Sequence, residues 1–253
     1  MPKFDLKIGK VIGYDHLKLG LNCQDAIASQ QFELGNRQYT IVVVSDGSSA
    51  AEDDPHMVHN EIGAQLTTDF LLRQTKQYLV SAVHAPLIPY FLFDDLLDYY
   101  RLLITNQKIQ SPQETASFVK YNLLCTVLVL IITPEHGLIV RYGDGLVVID
   151  EEILTFDYND HPPYLGYFLI PQQLKVNASS LQPYFDIVEF DPNIVHKLAV
   201  GSDAFVSNLN LIPHFWNHAH PNQIQRNLNV WSKIDHRLLD DATLAVLERK
   251  EEK

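Results

Sequence analysis

Tyr39-Thr-Ile-Val-Val-Val-Ser-Asp46-Gly47 is an apolar run that ends on an acid. The β-branched succession Ile41, Val42, Val43, Val44 reads as a strand buried on both faces. Ser-Asp-Gly then ends the strand and turns the chain. It leaves a carboxylate at the strand's mouth beside a glycine that another group can approach closely. His196-Lys-Leu-Ala-Val-Gly-Ser202-Asp203 repeats the arrangement. Two buried strands that deliver Ser-Asp to their ends point to a metal site with oxygen ligands.

Around these two segments the coarse pattern is legible. Phe4 to Ile12 reads as a first strand, and Ile27–Leu34 with Gln38–Val44 as a hairpin turning at Gly35-Asn36. Val58, Ile62, Leu66 and Phe70 recur every four residues and predict an amphipathic helix to about Leu79, ended by Pro86 and Pro89. Phe91–Ile104 and Pro112–Tyr121 are further predicted helices. Strands return at Asn122–Thr133, Gly137–Tyr142 and Leu146–Ile149, the last two joined across a predicted tight turn at Gly143-Asp144-Gly145. Residues 151–195, interrupted by Pro162-Pro163, Pro171, Pro183 and Pro192, read as irregular. Lys197–Val200 and Ala242–Glu248 are predicted strands, with partly helical Ser202–Asn217 and Pro221–Trp231 between them. Helices grouped apart from strands predict an α+β fold of antiparallel sheets rather than a doubly wound one.

Composition narrows the partners. With 31 acidic against 19 basic residues the net charge is −12, so no basic field attracts nucleic acid or an anionic membrane. Two cysteines, Cys23 and Cys125, make no disulfide framework and fit a reducing compartment. Met1 to Ile8 shows no apolar signal core, and the longest apolar run, Leu123–Ile132, is shorter than the ~20 residues of a membrane helix. The expectation is a cytoplasmic, monomeric protein of one domain over residues 1–253. His214, His218 and His220 hold an i, i+4 histidine pair, but no further ligand pattern lies nearby to close a zinc site.

Acids recur at turns and strand ends: Asp25, Asp46, Asp144, Asp203 and Asp240-Asp241. One such acid only caps a turn. Several converging at buried strand ends repel one another unless a cation is bound, and an all-oxygen set suits Mg²⁺ or Mn²⁺.

In order, Cys-Gln-Asp25, Val-Ser-Asp46-Gly47, Thr126 within a buried strand, Tyr-Gly-Asp144-Gly, Gly-Ser-Asp203 and Asp240-Asp-Ala-Thr243 resemble the metal-dependent type 2C protein phosphatases, nearest a divergent bacterial branch. The resemblance runs from about Phe4 to Leu247. It implies a four-layer αββα sandwich, two antiparallel sheets flanked by helix pairs, with a binuclear Mg²⁺/Mn²⁺ centre at one end. By motif, Asp46 bridges two metals, the Gly47 carbonyl ligates one, and Asp203 and Asp240 complete the other. Asp144 with Asp203 matches a third, weaker ion. Asp25 orients water from behind, and Gln24 stands where the family has a ligating Glu. Residues 151–195 fall where the family carries a flap. The implied activity is phosphoric monoester hydrolysis with a metal-bridged water as nucleophile, on phosphoserine or phosphothreonine in proteins, or on small phosphorylated metabolites.

Departures from the pattern support an alternative, a weak or inactive pseudophosphatase serving as a binding or regulatory module. Gln24 brings no charge. Gly20 stands where many members place a phosphate-clamping Arg, and Ser48 where eukaryotic members place a His. His16, Lys18 and Arg37 are the nearby cations left to replace these functions.

Overall fold

A computed structural model describes residues 3–49, 58–158, 162–170, 181–216, 218 and 220–250. The strands are β1 (Phe4–Val11), β2 (Ala26–Leu34), β3 (Arg37–Ser45), β4 (Val127–Ile132), β5 (Gly137–Tyr142), β6 (Gly145–Ile149), β7 (Glu152–Phe156), β8 (Asp186–Phe190), β9 (Lys197–Gly201) and β10 (Ala242–Arg249). The helices are α1 (Tyr14–Leu19), α2 (Asn60–Val80), α3 (Ile88–Asn106), α4 (Pro112–Asn122) and α5 (Gln223–Lys233). Shorter 3-10 turns lie at Leu165–Leu169 and, longer, at Asp203–Phe215.

The strands form two antiparallel five-stranded sheets, ordered β2-β3-β4-β5-β8 and β1-β10-β9-β6-β7. Alternation along the strands sorts their side chains into three cores. Ile41, Val43, Val129 and Ile131 face α2, α3 and α4. Val42, Val44, Leu128 and Leu130 meet Val147, Leu198, Val200 and Ala245 between the sheets. Leu146, Val148, Leu244 and Val246 face α5 and the Asp203–Phe215 segment. Three cores separate four layers, so the αββα architecture holds. The long helices α2 and α3 flank one sheet. On the other, α5 is joined by a 3-10 segment, because Pro213 and the non-helical Asn208 prevent a second continuous α-helix. Gln225 of α5 closes the free edge of β1, accepting from Lys10 N at 3.0 Å and donating to Lys10 O at 2.8 Å.

Several local expectations change. The β2–β3 hairpin turns on Gly35 and Asn36, both at positive φ, as read. Helix α2 exists, but its buried face is Asn60, Gly63, Ala64, Thr67, Thr68, Leu71, Thr75 and Leu79; Ile62 is 48% exposed. Small side chains let α2 sit close to the sheet, and this outweighs the larger apolar stripe. Pro89 does not end a helix but sits in the first turn of α3, where its missing N–H costs nothing. The predicted Asn122 strand begins only at Val127. Gly143-Asp144-Gly145 does not join a hairpin: β5 and β6 belong to different sheets, and these residues carry the chain between them. The segment 151–195 contains β7 and β8, edge strands whose half-exposed residues gave a weak apolar signal. Residues 159–161 and 171–180 of that flap-like segment lie outside the described residues.

Candidate metal centre

Thr126 holds the chain at Asp46. Ser45 Oγ donates to Thr126 O at 2.6 Å, Asp46 N to Thr126 Oγ1 at 3.0 Å, and Thr126 N to Asp46 O at 2.8 Å. Gly47 N donates to Gln24 O at 3.2 Å, and a Cβ on Gly47 would stand 2.7 Å from Asn60 O, so only glycine fits there. The fully buried Asn60 secures the next turn. Its Nδ2 donates to Ser48 O at 2.8 Å and to Lys120 O at 3.2 Å, and its Oδ1 accepts from Leu124 N at 3.0 Å. These bonds explain why Leu123–Thr126 leave the ladder of β4: their backbone serves the site instead.

Gln24 and Asp25 come alongside from the segment before β2. Lys10 Nζ donates to Asp25 O at 3.1 Å, and Gln24 N donates to Asp241 Oδ2 at 2.5 Å. Burial pushes Asp25 up to about 7, the charge of Asp241 adds to it, and the Ser202 and Thr243 hydroxyls nearby pull back without reaching good hydrogen-bond geometry. Asp46 is raised well above the carboxylate range by burial, and then by the charges of Asp25, Asp203 and Asp240. Asp203, in the first turn after β9, is raised by burial and by Asp240. Asp240 is exposed at the rim, where His16 faces it. Four carboxylates predicted from sequence, Asp25, Asp46, Asp203 and Asp240, therefore converge.

Asp144 stands at the margin. Its Oδ1 accepts from Tyr158 N at 3.0 Å, and its charge is felt by the Tyr164 phenol, which also neighbours Asp46 and Ser48. Of the candidate cations, Arg37 pairs with Glu135 at 2.7 Å at the opposite end of β3, roughly 30 Å of strand away. Lys18 is exposed, paired with Asp15 at 3.2 Å. His16 alone reaches the acids. His218 Nε2 contacts the backbone O of His214 at 2.8 Å, so these two do not present two ring nitrogens to zinc. Burial raises the Cys23 thiol far above neutrality, which leaves it an inert neighbour.

Sequence reasoning missed Asn60 and Asp157 and left Tyr164 and Asp241 without a role. Asn60 lies in the stretch read only as an amphipathic helix. Asp157, whose charge reaches Asp203, and Tyr164 lie in the stretch read as irregular. Asp241 was the neighbour of a candidate ligand, yet it is the buried organiser: Oδ1 accepts from Gly13 N at 2.7 Å while Oδ2 takes Gln24 N.

The donor set fits a hard divalent cation. Gln24 Oε1, both Asp25 oxygens and Thr243 Oγ1 are buried without a hydrogen-bond partner among the described residues. Buried oxygens left this way are costly unless an ion or water meets them. Two sheets carrying such a cluster of carboxylates to one end define a protein built around an acidic centre.

The chain belongs to the protein phosphatase 2C family, whose model matches residues 12–179; Asp203 and Asp240 lie beyond that match. Serine/threonine-protein phosphatase 3 of Escherichia coli K12 is 27% identical over 146 residues, 57% of this chain. The match spans about half the length of that relative (53%). Among solved structures, serine/threonine phosphatase Stp1 of Staphylococcus aureus superposes with a TM-score of 0.58 at 14% identity, covering 98% of this chain and 96% of that one. PppA, described as a key regulatory component of the type VI secretion system in Pseudomonas aeruginosa, gives 0.56 at 13% identity and 98% coverage of each. At these identities the superpositions establish the fold, which extends through Asp203 and Asp240.

Proposed function

We propose that this chain is a metal-dependent phosphoric monoester hydrolase acting on phosphoserine or phosphothreonine in proteins. The observation that carries the reading is the convergence of Asp25, Asp46, Asp203 and Asp240, each acid brought by a different segment. Asp46 would be the shared ligand, with the Gly47 carbonyl and Gln24 Oε1 available to hold one ion and Asp203 and Asp240 the other. Asp144 with Asp203 is the weaker outer position. Two Mn²⁺ or Mg²⁺ ions held there supply Lewis acidity to the phosphoryl oxygens and lower the pKa of water toward neutrality. Asp25, buried and interacting with Asp46, would position the attacking water. Thr126 and Asn60 fix the Asp46–Ser48 backbone so that its carboxylate does not swing out when charge is added. Tyr164, whose phenol meets the Ser48 side chain and feels the charges of Asp46 and Asp144, borders the site. A cytoplasmic location fits two unpaired cysteines.

The neutral amide of Gln24 favours a second reading, a pseudophosphatase that retains fold and ions as a binding module. Hydrolysis of p-nitrophenyl phosphate with Mn²⁺, with chelator, and by Asp46→Asn separates the two. We expect a chelator-sensitive rate that Asp46→Asn lowers at least about 100-fold. A rate no higher than the mutant's would leave the pseudophosphatase. A panel of phosphopeptides against small phosphorylated metabolites then tests the substrate class.

A further inference from the structure

His16 is 8% exposed, yet it lies at the mouth of the acidic centre rather than in a core. Its position is fixed by backbone. Tyr14 N donates to Leu238 O and Asp15 N to Leu239 O, each at 3.0 Å. A Cβ on Gly13 would stand 2.2 Å from the carbonyl carbon of Asp240, so helix α1 is pressed onto the very segment that carries Asp240. The two ring nitrogens face two different acids. Nδ1 is 3.0 Å from Asp241 Oδ2, off the line of a good hydrogen bond, and counts among the buried atoms without a partner. Nε2 is 3.6 Å from Asp240 Oδ1. Asp241 is buried and both its oxygens are held by backbone N–H groups; Asp240 Oδ1 accepts from Asp241 N at 2.7 Å, but the Asp240 side chain is 53% exposed and open to water or an ion. Among the described residues, His16, Asp240 and Asp241 form the one group of three potential ligands whose donor atoms lie within 4.8 Å of one another.

From this geometry we infer that His16 is a nitrogen ligand at the Asp240 side of the centre, with Asp241 the carboxylate that orients its ring. The inference rests on the reading of Asp240 as a metal ligand. A gap of 3.6 Å is long for a hydrogen bond but close to the separation of two ligands on one ion, about 3–3.5 Å at bond lengths near 2.1 Å. A ligating imidazole whose second nitrogen meets a carboxylate is the usual way a protein sets tautomer and ring angle. Imidazole also changes which ion is preferred. Carboxylates alone accept Mg²⁺ and Mn²⁺ about equally in kind, whereas a nitrogen donor favours Mn²⁺, Co²⁺ or Zn²⁺ over Mg²⁺.

Pulsed EPR of the Mn²⁺-loaded full chain tests this directly. The wild type should show hyperfine coupling to a directly bound ¹⁴N, converted to ¹⁵N coupling when the protein is grown with ¹⁵N-histidine, and the coupling should vanish in His16→Gln. By calorimetry, His16→Gln and Asp241→Asn should each lose about tenfold in Mn²⁺ affinity, with Mg²⁺ affinity changed less. The labelled wild type keeps the test valid even where a variant fails to fold. Mn²⁺ bound in an Asp46-dependent way with no nitrogen coupling, or with coupling that survives His16→Gln, would overturn the inference and leave His16 as a cation pinned between two acids. Mn²⁺ binding untouched by Asp46→Asn would instead overturn the metal centre of the proposed function, and this inference with it.

Discussion

At the scale of single residues, the acidic centre is a place where charges are forced together by backbone geometry. Asp46 cannot retreat, because Thr126 holds its amide and carbonyl and Gly47 is wedged against Asn60. Asp25 is buried behind it with no partner for either oxygen. Removing one charge should therefore help the metal-free protein while harming function. We expect Asp46→Asn and Asp25→Asn each to raise the Tm measured in chelator and to shrink the Tm increase produced by Mn²⁺. A lower Tm in chelator for both variants would contradict the account. Asn60 carries the opposite expectation. Asn60→Ala strands Leu124 N and leaves two carbonyls short of a donor, so it should cost about 2 kcal/mol or more in urea unfolding and weaken Mn²⁺ binding through the loosened Gly47–Ser48 turn.

Elements show why a correct periodicity still marked only part of the buried face. The four-residue spacing of Val58, Ile62, Leu66 and Phe70 identified helix α2, and Phe70 packs on its core, but the fully buried positions are Thr67, Thr68, Leu71 and Thr75. Threonines and glycine read as polar or neutral in a sequence window, yet they bring the α2 backbone close to β2 and β3 and place Asn60 under the Asp46 turn. Leu71→Ala should accordingly cost about 2–4 kcal/mol in urea unfolding, and Ile62→Ala under about 0.5 kcal/mol. Equal costs would restore the sequence-based face. The same limitation hid β7 and β8. Edge strands bury one face incompletely, so Glu152–Phe156 and Asp186–Phe190 lack the unbroken apolar runs that made β3 and β4 obvious.

For the whole molecule, the two sheets act as a frame that spends stability at one end. Asp25 and Asp46 titrate above the usual value near 3.8, through burial first and mutual charge second. A raised carboxyl keeps its proton in the folded protein at a pH where the unfolded chain has lost it. The resulting penalty is absent below about pH 4 and grows as pH rises through about 7 for Asp25. In chelator, the Tm should thus be higher at pH 5 than at pH 8, and Mn²⁺ should remove most of the difference; equal Tm values in chelator at both pH values would refute this. The architecture behind that behaviour was largely legible. Runs such as Ile41–Val44 and Val127–Ile132 can be satisfied only with cores on both faces, which demands layers on either side of each sheet. Ser-Asp-Gly and Gly-Ser-Asp at strand ends also declared themselves, because an acid that ends a buried strand is a local feature of composition. Only the tertiary structure decided which acids meet, that Arg37 lies at the far end, that Gly143–Gly145 crosses between sheets, and that His16 reaches Asp240 and Asp241 from the other end of the chain. Those outcomes depend on how β1 pairs with β10 and how the two sheets stack, and such long-range register leaves no periodic mark on the residues that it brings together.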